Sequence, residues 1–169
     1  MNKQQGFTLI ELVVVIIILG ILAVVAAPKF INLQGDARAS TLQGAKAALQ
    51  GANSLVYSKA AIGGFEGVDC VDGAATEGCE AIEGANVVFG YVAGDAASVA
   101  AVLDVVDEDF TVIESGGEDG DMVFPSDVDV VVFPTGYKAS VDNGKICWLE
   151  YSQATSSSKP SYNVADGGC

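Results

Sequence analysis

The strongest pattern in the chain is its first apolar run. From Leu12 to Pro28 no residue is charged, and nothing imposes the alternation of a strand or the one-sided spacing of an amphipathic helix. Further along, the pattern changes. Leu42, Ala45, Leu49, Ala52 and Val56 recur at 3–4 spacing, while Asp36, Gln43, Lys46, Gln50 and Asn53 fall on another face. Residues 7–59 therefore read as one helix, ~80 Å long at 1.5 Å per residue. It is apolar all round up to Ala27 and amphipathic from about Leu42. Arg38 falls on the extrapolated apolar stripe, which implies that the rest of the chain leaves the helix uncovered there. Gly20 and Pro28 are weak points in this helix: Gly lowers helix propensity by about 1 kcal/mol, and Pro28 has no N–H to offer the Val24 carbonyl.

Gly63-Gly64 is expected to end the helix. Beyond it, Cys70 to Cys79 encloses an acidic loop rich in Gly and Ala, and Val87 to Val92 reads as one short strand. Asp95 is a candidate cap for a second helix through Val106, with Val99, Val102, Leu103 and Val106 inward. Phe110 to Ile113, Val130 to Phe133, Ile146 to Tyr151 and Tyr162 to Val164 read as strands between turns that contain Gly, Ser or Pro. Residues Thr155 to Lys159 form a polar, Ser-rich loop. The expected fold is α+β: a long N-terminal helix whose amphipathic half packs against a C-terminal antiparallel sheet.

Charge divides the chain in the same way. The net charge of −14 comes from 22 acidic and 8 basic residues, and between Lys59 and Lys138 there are 17 acids and no Lys or Arg. A body of that sign repels nucleic acid and anionic lipid headgroups, so no nucleic-acid partner is expected. The absence of His removes the usual general base, the commonest metal ligand and any His-based triad. The clusters Asp104–Asp109 and Glu118–Asp121 do not follow the alternating ligand pattern of a calcium loop, and they read as solvated acidic loops. Trp148 and Tyr151 read as sheet core rather than as a sugar platform. No catalytic residue, cofactor or metal is expected, and the chain does not read as an enzyme. Cys70, Cys79, Cys147 and Cys169 form an even set without a CxxC pair, which fits disulfides in a chain that leaves the cytosol. Pairing each Cys with its nearest neighbour gives Cys70–Cys79 and Cys147–Cys169, each closing a turn-rich loop.

The apolar run begins Gly6-Phe7-Thr8-Leu9-Ile10-Glu11-Leu12. A secretory signal has the basic head that Lys3 supplies and a small-residue site such as Val24-Val25-Ala26, but its core seldom holds a carboxylate. A plain membrane anchor needs about 20 apolar residues, which Phe7 to Ala27 provides. A core helix of a soluble domain would be interrupted by polar positions, and this run is not. Glu11 separates these readings, because a carboxylate at the centre of a membrane helix costs roughly 2.5–3.5 kcal/mol and less near an end. It either snorkels to the interface, helped by the positive end of the helix dipole, or meets a charged partner. A cut between Gly6 and Phe7 would create an α-amino group one turn from Glu11. A neighbouring copy shifted by that turn would place its amine against the carboxylate. The Coulomb part of such a pair is about 4 kcal/mol at an effective dielectric of 20, before desolvation is subtracted.

The residues from Gly6 through Phe7, Glu11 and the following valines resemble the processing motif of type IV prepilins. The resemblance implies a leader, residues 1–6, removed after Gly6, and an N-methyl group on Phe7. It also implies assembly through Phe7 and Glu11, with a loosening of the helix between Gly20 and Pro28. The stretch through Ala26-Ala27-Pro28-Lys29-Phe30 and Gln50 to Ser58 is similar to the mannose-sensitive haemagglutinin (MSHA) branch of class a prepilins. The domains so implied are a leader at 1–6, a transmembrane and fibre-core helix at 7–28, and a periplasmic, later extracellular head at 29–169. The implied partners are further copies in a homopolymer, a prepilin peptidase and methyltransferase, the inner-membrane assembly machinery and, before assembly, the membrane itself. The expected location is the bacterial inner membrane for the precursor and an extracellular fibre afterwards. A major pilin for surface attachment and biofilm formation is the favoured function. A type II secretion pseudopilin and a minor pilin are the alternatives, and Cys147 with the near-terminal Cys169 matches the disulfide-bounded C-terminal region of pilins.

Overall fold

The computed structural model describes residues 7–71, 79, 81–104, 109–114, 116, 118–119, 122–137 and 146–169, with only the backbone for 30–32, 118–119 and 122–123. The leader at 1–6, including Gly6, lies outside the described residues. So do Val106, Asp107 and Glu108 of one acidic cluster and Gly120 and Asp121 of the other. The chain divides into two compact units, Met1–Ala37 and Arg38–Cys169. The first helix, α1 (Leu9–Gly63), runs through both and passes Pro28 without a break in its assignment.

In the first unit the described apolar side chains of α1 lie uncovered. Its large apolar residues from Leu9 to Val25 are all exposed. In the second unit one stripe of α1 goes inward: Leu42, Leu49, Asn53, Val56 and Ala60 are buried. The spacing is 7, 4, 3 and 4, which keeps a single face toward the sheet. The helix ends at Gly63, and Gly64 follows in the left-handed region at φ 77. The Phe65 N–H then returns to the Ala60 carbonyl at 3.1 Å.

The sheet on that face has four antiparallel strands: β3 (Phe110–Glu114), β6 (Val130–Pro134), β7 (Trp148–Ser152) and β8 (Ser161–Ala165), in that spatial order. β6 is buried on both sides, as its unbroken Val-Val-Val-Phe sequence implies. Val130, Val132, Leu149 and Tyr151 join the α1 stripe in the main core. Val131, Phe133 and Trp148 pack with Phe124 on the opposite face. Trp148 and Tyr151 are thus both core residues, on opposite faces of β7.

Two small hairpins complete the fold. Val87 to Val92 is two strands rather than one: β1 (Val87–Val88) pairs with β2 (Tyr91–Val92) across a tight turn. Phe89 (φ 49) and Gly90 (φ 80) are both left-handed, as a type I′ turn requires. Phe in that conformation costs roughly 1–2 kcal/mol, which is why the sequence did not announce the turn. Gly90 is needed twice over, because a Cβ there would sit 2.9 Å from Tyr57 Cδ2 and 3.1 Å from the Glu66 backbone. The second hairpin, β4 (Glu118–Asp119) with β5 (Met122–Val123), orders backbone that read as an acidic loop. The second helix, α2 (Ala96–Leu103), starts at Asp95, whose carboxylate accepts from the Ser98 N–H at 2.8 Å. It stops at Leu103, short of the expected Val106, because Asp104 turns left-handed at φ 49 and ψ 41.

Two expectations for α1 are overturned. Asn53 does not face solvent; it is 2 % exposed and lies in the core stripe. Arg38 is not left uncovered either, since its guanidinium carbon stands 5.6 Å from the centre of the Tyr137 ring.

Candidate assembly site

At the start of α1 the Thr8 hydroxyl accepts from the Glu11 N–H at 3.3 Å. In return, one Glu11 oxygen, Oε2, accepts from the Thr8 N–H at 2.9 Å and from the Thr8 hydroxyl at 2.6 Å. This reciprocal pair is a capping box, and it satisfies donors that a helix terminus otherwise leaves open. The signal for it was in the sequence as Thr8-x-x-Glu11, a pattern hidden by reading Glu11 for its charge alone. Both bonds fall on Oε2, and among the described residues Oε1 of Glu11 accepts none. Phe7 precedes the cap and is 83 % exposed.

The helix following the cap is, by length and composition, able to cross a membrane, and the apolar window that qualifies it is not buried. Gly20 has no neighbour within 4 Å of a Cβ built on it, so nothing within the chain demands a glycine there. Pro28 sits inside the helix, where its ring removes one backbone hydrogen bond.

In the head, two disulfides staple the periphery. Cys70 is bonded to Cys79 with Cα atoms 5.6 Å apart, and Cys147 to Cys169 with Cα atoms 4.8 Å apart. The second fastens the chain's last residues to the sheet. Beside it the Gly168 N–H donates to the Ile146 carbonyl at 2.8 Å, and the Tyr137 hydroxyl donates to the Gly168 carbonyl at 2.8 Å. Tyr137 in turn lies against Arg38 of α1, so the C-terminal staple, the loop after β6 and the long helix are tied in series. Burial raises the Tyr137 pKa, and the nearby Arg38 charge partly opposes that rise.

A second tie is Asn53. Its Oδ1 accepts from the Val92 N–H at 2.8 Å, and its Nδ2 donates to the Tyr162 hydroxyl at 2.7 Å and more weakly to Tyr151 at 3.4 Å. The Tyr151 hydroxyl donates to the Val92 carbonyl at 2.6 Å. One amide thus joins α1 to β2, β7 and β8. Burial pushes the Tyr162 phenol up to about 12 and Tyr151 higher still, with the Asn53 hydrogen bond opposing both shifts. Among the described residues no group of three or more His, Cys, Asp or Glu is placed to hold a metal ion.

Residues 1–27 match the family model for the prokaryotic N-terminal methylation motif. That places the motif across Gly6, Phe7, Thr8, Glu11 and the uncovered half of α1. The front of the chain matches that motif. A longer stretch is similar to the type IV narrow pilus major component PilA5 of Thermus thermophilus, with 38 % identity over 58 residues. The alignment covers 34 % of this chain and 50 % of that protein, so the chain spans about half the length of the curated relative it matches. No solved structure matches the chain.

Proposed function

We propose that the chain is a structural subunit of a type IV pilus, made as a membrane-held precursor and polymerised into an extracellular fibre. The observation that carries this reading is the methylation motif over residues 1–27, joined without a break to an apolar helix that has no covering within its own chain. A fully exposed apolar helix is unstable in water. It needs lipid before assembly and the same helix of other copies afterwards. Cleavage follows Gly6 in this scheme, a peptidase and methyltransferase modify the new Phe7 amine, and the inner-membrane machinery adds the subunit to the fibre.

Glu11 sets the register. Its Oε2 is engaged with Thr8 in the same chain, and the open Oε1 faces the methylated amine of an adjoining copy. The major-subunit reading is favoured over a pseudopilin or minor pilin by the Cys147–Cys169 staple, and the relative of Thermus is itself named a major component. A fibre of the MSHA type, serving surface attachment and biofilm formation, is the finer form of the proposal. Nothing in this scheme calls for catalysis by the subunit.

Mass spectrometry of sheared fibres tests it. The dominant species should begin at N-methylated Phe7, with a formal net charge of −15 because Lys3 is lost and all 22 acids are kept. Fibres whose subunits begin at Met1 or after Ala26 would sink the proposal.

A further inference from the structure

The head contains a cleft of about 300 Å³ that the assembly chemistry does not use. Tyr57, Phe89 and Tyr91 line it together with Glu66, Lys159 and the hydroxyl-bearing turn 155–158. Tyr57 and Tyr91 are stacked with ring centroids 5.0 Å apart, and Tyr57 remains 39 % exposed. Phe89 reaches the cleft from the left-handed position of the β1–β2 turn, whose Gly90 lets Tyr57 and the Glu66 backbone approach.

Two opposite charges stand on this cleft without using each other. Among the described residues neither Glu66 nor Lys159 has an ion-pair partner, whereas Lys59 is paired with Glu83. In the turn, Thr155, Ser157 and Ser158 bond to one another, while the Ser156 hydroxyl bonds to nothing described. The complement of such a surface carries a cation at one end and an anion at the other. A purely anionic ligand is repelled by a chain of net charge −14, and a purely cationic one leaves Lys159 facing it. A zwitterion meets neither objection. Aromatic faces beside a carboxylate favour a quaternary ammonium, which is poorly hydrated and donates no hydrogen bonds. A lysine beside the open Ser156 hydroxyl favours phosphate oxygens.

We propose that this cleft binds the phosphocholine group, with its trimethylammonium end against the Tyr57, Tyr91 and Phe89 rings and Glu66, and its phosphate against Lys159 and the Ser156 hydroxyl. The site lies within the head and does not depend on the polymer. Phosphocholine reaches a cell-surface protein either as a diester, in a lipid headgroup or glycan, or as the free monoester. The two differ in charge at the phosphate.

The test is calorimetric titration of the full-length chain in maltoside micelles with glycerophosphocholine, phosphocholine, choline and inorganic phosphate. At least one of the two phosphocholine probes should bind tenfold or more tightly than choline or phosphate alone. Tighter binding of the diester assigns the headgroup or glycan source, and tighter binding of the monoester assigns the free compound. Tyr57→Ala should weaken both ends of the series containing choline by tenfold or more. Lys159→Glu should weaken the phosphocholine probes by a similar factor and leave choline unchanged or improved. The two substituted residues, Tyr57 and Lys159, are exposed, and an unchanged circular dichroism spectrum checks that the variants keep the head folded. Absence of binding at millimolar phosphocholine and glycerophosphocholine would overturn the proposal. So would equal affinity for these probes in wild type and in both variants.

Discussion

Replacing Glu11 by Gln removes a charge without removing a cap, because an amide oxygen accepts from the Thr8 N–H much as a carboxylate oxygen does. The substitution therefore isolates the proposed ion pair. Membrane insertion of Glu11→Gln should be unchanged or improved, while shear-fraction fibre yield at equal subunit levels falls tenfold or more. Glu11→Asp should be intermediate. Adding Leu12→Glu to the amide variant should not restore fibres, because one residue turns the side chain by about 100°. Wild-type yield from Glu11→Gln would show that the carboxylate only caps and snorkels. Asn53 offers the matching test in the head. Asn53→Ala leaves the buried Val92 N–H and the Tyr162 hydroxyl without their partner, and should lower unfolding stability by about 2–4 kcal/mol in denaturant titration. A change below about 0.5 kcal/mol would mean that the tie is replaceable by water. Glu11's partner was legible as Thr8-x-x-Glu11, whereas those of Asn53 could not be read from the chain alone. Asn53 does fit the stripe Leu49-Asn53-Val56-Ala60, but its polarity assigned it to the wrong face, and the tyrosines that satisfy it lie about a hundred residues downstream.

Among the elements, the two disulfides close loops of different size, with Cys separations of 9 and 22 residues. Loop-closure entropy gives about 2.7 kcal/mol for the first and 3.4 for the second. Removing Cys147–Cys169 by paired Ser substitution should cost more than that difference implies, since Gly168 also anchors Tyr137 and, through it, Arg38. Thermal unfolding of the two double variants ranks them, and a lower midpoint for the Cys70–Cys79 variant would contradict the ranking. Periodicity served the sequence reading well for α1 and the four-stranded sheet, because long apolar repeats and β-branched runs are local signals. It served poorly for the β1–β2 and β4–β5 hairpins. Those depend on a Phe held left-handed at position 89 and on backbone pairing by Glu118 and Asp119, whose side chains argue for solvent. The early stop of α2 at Asp104 is of the same kind: a left-handed cap on a residue type that tolerates it.

For the whole molecule, pH acts on the head through its phenols. A tyrosine whose pKa is raised by folding favours the neutral native state. Its contribution is fully present below the unfolded value near 10 and is lost as pH rises through the folded value. For Tyr162 that window runs from about 10 to about 12, and Tyr151 shifts in the same direction. Ultraviolet titration of the chain in detergent should therefore show Tyr151 and Tyr162 ionising late, together with unfolding. Ionisation of both near pH 10 in a folded chain would show that water reaches the Asn53 tie. The division of pattern that was plain in the sequence, an apolar front and an amphipathic, acidic remainder, carries over to two units: one whose described apolar residues are exposed and one with a closed core.

The cap at the start of α1 has a further consequence for the order of events in biogenesis. The Thr8 N–H that Glu11 accepts belongs to the peptide bond with Phe7, and a cut between Gly6 and Phe7 leaves that bond intact. The Thr8–Glu11 cap is already formed in the uncut chain, and the proposed trimming would break none of its bonds. Besides removing residues 1–6 with Lys3, the proposed cut would turn the Phe7 nitrogen from a neutral amide into a positively charged amine. If the proposed processing holds, the charge that would drive assembly appears beside a cap that needs no rebuilding.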